Sequence, residues 1–302
     1  MSTFVREFHN GLKLSILRNM CPIDWLIDIG CGRLNDLHKW KQLNIPNIIA
    51  VDPDTNQLLE GMKRLQSASH MEANVVFLQT EPGQEDFLKL LQQTIFLNSN
   101  ICVTVFFALH YWCASEEALS HRLQTLYTAV PNKTRLAFTF MVGIADAPYE
   151  KYHSELVRHI LETGGLELEH YKLKKKEFPI FPCASIEQYL KSHQPTCSLA
   201  TIQSAAPIRP AGTALNIRLE NAPYFVTEKS SIEYAVSLPL LKTSLKKCGF
   251  KKVRVEPFMQ SLANGSAILL TKQGPAPVDI STIPLPALYF SSMHCTVYCE
   301  TE

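Results

Sequence analysis

Two carboxylates and a pair of glycines hold the densest chemistry in this 302-residue chain. In LIDIGCGRLNDLHKW (26–40), Asp28 falls within a short apolar run that leads into Gly30-Cys31-Gly32. Twenty residues past Gly32, Asp52 ends a second apolar run, IIAVDPD. Glycines after a strand allow a tight turn and let a ligand approach the backbone, while the following helix presents its N-terminus. An acid at the end of the second strand suits the two hydroxyls of a ribose. A nicotinamide dinucleotide would need a third glycine to close on its pyrophosphate, and Asn35 stands there instead. S-adenosylmethionine (SAM) has no phosphate, and its methionine ammonium calls for a carboxylate such as Asp28. A glycine turn with no ligand would leave both acids unexplained. The pattern predicts SAM as cofactor.

The surrounding elements must place these residues at strand ends. Trp25–Ile29, Ile48–Val51, Val75–Leu78, Ile101–Phe107 and Leu136–Met141 read as strands, alternating with helices over 36–43, 55–66, 87–96 and 116–130. ICVTVFF is apolar on both faces, as a central parallel strand must be. Ser115 caps the last of these helices, with Glu116 and Glu117 in its first turn and Pro131 as its stop. Strand-helix alternation predicts an α/β fold with a doubly wound parallel sheet. The middle, 146–231, reads as an insertion, with a helix near Tyr149–Thr163, the lysine run KLKKK (172–176) and APIRPAG (206–212). Ser231–Cys248 reads as a helix stopped by Gly249, Val253–Val255 as a strand, then a proline-bearing loop, and Met293–Cys299 as the closing strand.

Composition sets outer bounds. With 46% hydrophobic, 9% aromatic and 19% charged residues, the chain is globular, not disordered or coiled-coil. Lysine and arginine number 29 against 28 acids, which excludes a broadly basic surface as the basis of any polyanion binding. The nine cysteines are scattered and form no Cys-x-x-Cys pair, so free thiols in a reducing, cytoplasmic compartment are expected, and no metal site. MSTFVREFHN lacks the apolar core of a secretory signal. The uncharged run 92–115 is broken by Gln92, Gln93, Asn98, Ser99 and Asn100, which suits a buried strand better than a membrane span.

Four segments resemble the messenger RNA cap guanine-N7 methyltransferase family. FHNGLK (8–13) resembles its F-N-N-W-x-K helix, and LIDIGCGRLNDLHKW its D-L-G-C-G-K-G-G-D-L-x-K-W motif. FALHYW (107–112) resembles its F-A-L-H-Y segment, and IEYAVSLPLL (232–241) its P-E-Y-L-V segment. Order and spacing agree over nearly the whole chain. The divergence looks most like the C-terminal methyltransferase domain of a multifunctional capping enzyme of a large cytoplasmic DNA virus. The resemblance implies a Rossmann-like class I SAM-dependent methyltransferase fold in a single domain over 1–302. Its sheet would be mostly parallel, with an antiparallel C-terminal strand. The implied partner is the capped 5′ end of RNA, with the other capping activities on the same parent polypeptide and a location in the host cytoplasm or virion.

Residue roles follow from the same resemblance. Lys13 would meet the cofactor carboxylate, Asp28, Gly30 and Gly32 the methionine end, and Asp52 the ribose. The family's adenine-side Asp is absent, leaving Gln79 and Thr80 there, and Phe106 replaces a Gln, so adenine would be held more by packing. For the cap, Arg33 would bridge phosphate oxygens, His110 and Tyr111 would face the guanine, and Glu233 would accept from its N1–H and N2–H2. Asn10 and His294 complete the implied cap set, with Tyr289 able to stand in for His294. Guanine N7 has a lone pair and no proton, so the implied reaction needs alignment and no general base. Two other readings stay open: a SAM-dependent methyltransferase with another RNA or small-molecule substrate, and a catalytically degenerate scaffold or stimulatory subunit.

Overall fold

The computed structural model describes residues 2–68, 71–94, 99–141, 200–204, 214–219, 230–234, 236–258, 261, 266–278, 291 and 294–302. The predicted helix over 149–163, KLKKK (172–176), APIRPAG (206–212) and Tyr289 lie outside these residues. The chain divides into two compact units, one made of Lys13–Phe140, Pro239–Val255 and Thr296–Glu302, the other of Met1–Leu12, Met141–Leu238 and Glu256–Cys295.

The first unit is built on a seven-stranded sheet. Its strands β1 (Trp25–Ile29), β2 (Asn47–Val51), β3 (Asn74–Leu78), β4 (Ile101–Phe106) and β5 (Arg135–Met141) pair in parallel. Numbering the remaining strands in chain order puts β9 at Lys251–Pro257 and β12 at His294–Glu300, and the sheet order is β3-β2-β1-β4-β5-β12-β9. The Lys133 N–H donates to the Glu302 carbonyl and the Thr301 N–H to the Thr134 carbonyl, so β12 runs antiparallel to β5. Lys252 pairs with Glu300 and Arg254 stacks over Tyr298, so β9 reverses again and runs with β5. This mostly parallel sheet with one reversed C-terminal strand is the Rossmann-like class I arrangement.

Both faces are covered, as the apolar strands require. On one face Leu26, Ile48, Ala50, Cys102, Phe106 and Ala137 pack against α1 (Ser2–Asn19), α2 (Leu37–Gln42) and α3 (Thr55–Ser67), through Leu17, Trp40 and Leu58. Alternate strand residues point the other way, where Trp112 meets the Phe138 ring edge-on. There α5 (Glu116–Ala129) buries Leu119, Leu123 and Leu126, and α4 (Glu85–Thr94) packs beside it. The Ser115 hydroxyl accepts from the Ala118 N–H, the expected cap.

The second unit corrects two expectations. Ser231–Cys248 is not one helix: β8 (Ser230–Tyr234) pairs antiparallel with β7 (Ala214–Leu219), itself paired with β6 (Ala200–Ser204), and α6 spans Leu238–Cys248 in the first unit from Pro239 onward. Ile232, Tyr234 and Val236 alternate with period two, and Pro239 belongs in a first helical turn. The proline-bearing loop contains a hairpin, β10 (Ile268–Thr271) and β11 (Gly274–Pro277). Pro275 and Pro277 are tolerated because a two-stranded ribbon leaves edge positions that donate no ladder bond. Gly11 stands where the resembled helix motif has Trp, and the Ile268 carbonyl of β10 fills the space a Cβ would need.

Candidate functional site

The site forms where β1, β2 and β4 end. Asp28 sits opposite Thr104 in the β1–β4 register, and the Thr104 hydroxyl donates to its Oδ1 at 2.7 Å. Asp28 is 3% exposed. Burial, reinforced by the neighbouring Asp36 charge, pushes its carboxyl up to about 7, against the opposing pull of Thr104, Lys13 and Lys39.

The turn after β1 is shaped by two glycines with different reasons. Gly30 has φ +75°, and a Cβ there would collide with the Cβ of Ala108. The segment after β4 therefore abuts the turn after β1. Gly32 has φ +51°, but a Cβ there would meet nothing nearer than Gln57 Oε1 at 3.6 Å. At Gly32 the conformation, and not crowding, is what calls for glycine. Cys31, inside the turn, is buried, and burial pushes its thiol far up, so it is no nucleophile.

Leu34 and Asn35 replace the glycines of the resembled motif, and α3 accommodates both. Leu34 keeps a left-handed φ of +57° with its side chain in the core, where Gly61 makes room for it: a Cβ on Gly61 would lie 2.9 Å from Leu34 Cγ. The Asn35 Oδ1 accepts from Arg64 at 2.8 Å. Phe107 is likewise left-handed, at φ +57°, held by its N–H donating to the Thr139 carbonyl at 2.9 Å. Two bulky residues in this sparsely populated region flank one site.

Asp52 closes the far side. Its Oδ2 accepts from the Gly32 N–H at 2.8 Å and its Oδ1 from the Asp54 N–H at 2.9 Å. A carboxylate has about four lone-pair positions, so both oxygens keep capacity for hydroxyl donors. Asp54 then caps α3, accepting from the Asn56 and Gln57 N–H groups.

Beneath the turn lies a cluster of charges. Lys13 of α1 donates to Asp36 Oδ2 at 2.9 Å, and Lys39 donates to Asp36 Oδ1. The two ammonium groups hold the Asp36 carboxyl well below the usual range despite its burial. Lys39 is fully buried, which pulls its ammonium down to about 8. The Lys13 Nζ also faces the rings of Phe106 and Phe107, at 5.4 and 5.3 Å. Phe106 thus packs on the α1 side of the sheet, within the core that holds Leu17 and Trp40.

Beyond β4, a 3-10 turn carries Leu109–Trp112. His110 is 7% exposed, whereas Tyr111 is 53% exposed, and their rings lie 4.0 Å apart. Arg33, on the glycine turn, has its Nε buried with no hydrogen-bond partner. After β3, Gln79 is exposed and Thr80 is fully buried, its hydroxyl donating to Asp86 Oδ1 at 2.8 Å and lying 3.0 Å from Gln84 Oε1. Thr80 secures the start of α4, and Gln79 is the side chain of the pair that solvent reaches.

The remaining candidates belong to the second unit. Asn10 is half-buried on α1, Glu233 stands opposite Leu215 in the β7–β8 register, and His294 opens β12, 4% exposed. His294 stacks on Phe258, with ring centroids 5.5 Å apart, and its ring lies 4.8 Å from that of His9. His9 Nε2 is 3.2 Å from Ser291 Oγ. Lys251 and Lys252 open β9 at the end of the sheet where the parallel strands begin, and they pair with Glu302 and Glu300.

Sequence reasoning missed Thr104, Asp36 and Lys39. A threonine in an apolar strand reads as a β-former, and a helix lysine as a solvated one. The Asp-x-x-Lys spacing in NDLHK was the available signal, since i,i+3 partners meet on a helix.

No protein-family model matches the chain, and no curated protein sequence matches it. Among solved structures, a SAM-dependent methyltransferase from Methanosarcina mazei is 12% identical with TM-score 0.46, covering 95% of this chain and 96% of its own. One from Clostridium acetobutylicum is 9% identical with TM-score 0.47, covering 98% and 91%. A putative SAM-dependent methyltransferase from Listeria monocytogenes is 13% identical with TM-score 0.45, covering 97% and 99%. The fold rests on the sheet order and strand sense given above. Among the described residues no helix is long and apolar enough to cross a membrane, and Cys21, Cys31, Cys102, Cys113, Cys248 and Cys299 carry free thiols.

Proposed function

We propose that this chain binds SAM at the ends of β1 and β2 and transfers its methyl group to guanine N7 of GpppN-capped RNA. The residues fit the cofactor. Asp28 offers a carboxylate whose hydrogen bond comes from a neutral hydroxyl, leaving it to pair with an ammonium. Asp52 keeps lone pairs for a ribose, and it holds the Gly32 N–H at the turn.

The contact between Gly30 and Ala108 carries the substrate reading, because it sets the FALHYW segment directly against the cofactor turn. An exposed Tyr111 beside His110 offers an aromatic face for a purine at that point. Arg33, with its Nε unpaired, supplies a cation from the turn itself for the cap phosphates. Glu233, Asn10 and His294 enter this proposal through the family resemblance.

Bound SAM supplies a sulfonium-activated methyl group. The protein's task is then to align N7 with that methyl carbon and to tolerate positive charge on the guanine. No residue needs to take a proton.

Incubating the chain with methyl-labelled SAM and GpppA-RNA, m7GpppA-RNA or uncapped RNA tests this. The reading expects label on GpppA-RNA alone, mapped to N7. Label on m7GpppA-RNA would reassign the chemistry to another position, and no label on any RNA would favour a different substrate.

A further inference from the structure

Asp36 pairs with two lysines, whose charges also reach the second buried carboxylate, Asp28. Lys39 reaches Oδ1 from below and is fully buried; Lys13 reaches Oδ2 and retains 13% side-chain exposure. The charges of Lys13 on α1, Lys39 on α2 and Asp36 all act on Asp28. Lys13 is the solvent-reaching member of the cluster, poised between Asp36 and the Phe106 and Phe107 rings at the end of β4.

A cation shared this way can be lent. If Lys13 turned from Asp36 to an anionic group beside Asp28, a lone Asp36 would become an unpaired buried carboxylate, which is strongly disfavoured. With Lys39 in place it does not. We infer that Lys39 is a positioning residue of the cofactor site, neutralising Asp36 from beneath so that Lys13 is available to the carboxylate of the methionine moiety. The inference rests on the SAM reading of the previous subsection.

The test compares binding of three ligands by calorimetry: SAM, decarboxylated SAM, and 5′-methylthioadenosine, which lacks the whole amino-acid end. In the wild type, loss of the carboxylate weakens binding about tenfold or more, as expected for a charge-assisted pair. In Lys39→Met that discrimination collapses towards one, because Asp36 now retains Lys13, while affinity for methylthioadenosine stays within about twofold. The double variant Asp36→Asn/Lys39→Met removes the captor and restores the discrimination. Should Lys39→Met alone fail to fold, the double variant decides: wild-type discrimination supports the inference, and its loss overturns it. Equal weakening of all three ligands in Lys39→Met would also overturn it, as would unchanged discrimination. A wild type that binds none of the three would instead defeat the SAM reading itself.

Discussion

The backbone N–H of Gly32 donates to Asp52 Oδ2 at 2.8 Å, which ties the turn after β1 to the end of β2. The second oxygen of Asp52 holds the Asp54 N–H, so one side chain sets both the glycine turn and the start of α3. Asp52→Ala leaves two amides without their acceptor. We expect a loss of stability of about 1–3 kcal/mol, read from chemical denaturation midpoints, together with weaker SAM binding.

Asp28 gives the site a pH dependence whose sign is fixed. Its carboxyl is raised to about 7 by burial, so the folded chain holds this proton more tightly than the unfolded chain does. The associated stability is complete below the ordinary carboxylate value of about 4 and is lost as pH rises towards 7. Thermal unfolding between pH 4 and 8 should therefore show a decline that Asp28→Asn flattens. SAM affinity should move the other way, rising through pH 7 as the ammonium draws out the ionised form. Calorimetry in buffers of different ionisation enthalpy should register proton release. Thr104→Val removes the hydrogen bond that lowers this group, so the binding midpoint should shift to higher pH.

Gly30 and Gly32 should respond differently to alanine. At Gly30 the new Cβ meets Ala108 as well as an unfavourable φ; at Gly32 only the φ is unfavourable, with Gln57 Oε1 3.6 Å away. Gly30→Ala should destabilise by more than the roughly 1 kcal/mol expected for conformation alone, and Gly32→Ala by about that amount. Equilibrium unfolding of the two variants side by side checks the order.

Tyr111 is 53% exposed, so Tyr111→Ala should change stability by less than about 0.5 kcal/mol. If its ring carries the guanine, affinity for a cap analogue should fall about 5- to 150-fold, the range of a lost base stack. Fluorescence titration with GpppA measures it.

Much of the fold was legible because strong local signals agreed with the tertiary outcome. WLIDI is a short apolar run interrupted only by Asp28, ICVTVFF is apolar on both faces, and both became buried parallel strands; Ser115 capped its helix as its position implied. The stretch 231–248 misled because leucines at helical spacing, Leu238, Leu241 and Leu245, follow directly on a period-two segment, Ile232, Tyr234 and Val236. The change of period at Pro239 marked the boundary. In the site, Asp28, Gly30, Gly32 and Asp52 could be read from type and spacing. The burial of Lys39 could not, since nothing local tells a paired core lysine from a solvated one. Nor could the Gly61–Leu34 fit, which depends on where α3 packs.

The central claim is that the ends of β1 and β2 form a SAM site, and titrating the 302-residue chain with SAM in a calorimeter tests it most directly. The account predicts saturable one-to-one binding near neutral pH, abolished or greatly weakened in Asp28→Asn and Asp52→Ala. Absence of binding by the folded wild type, or binding that both variants retain unchanged, would contradict it.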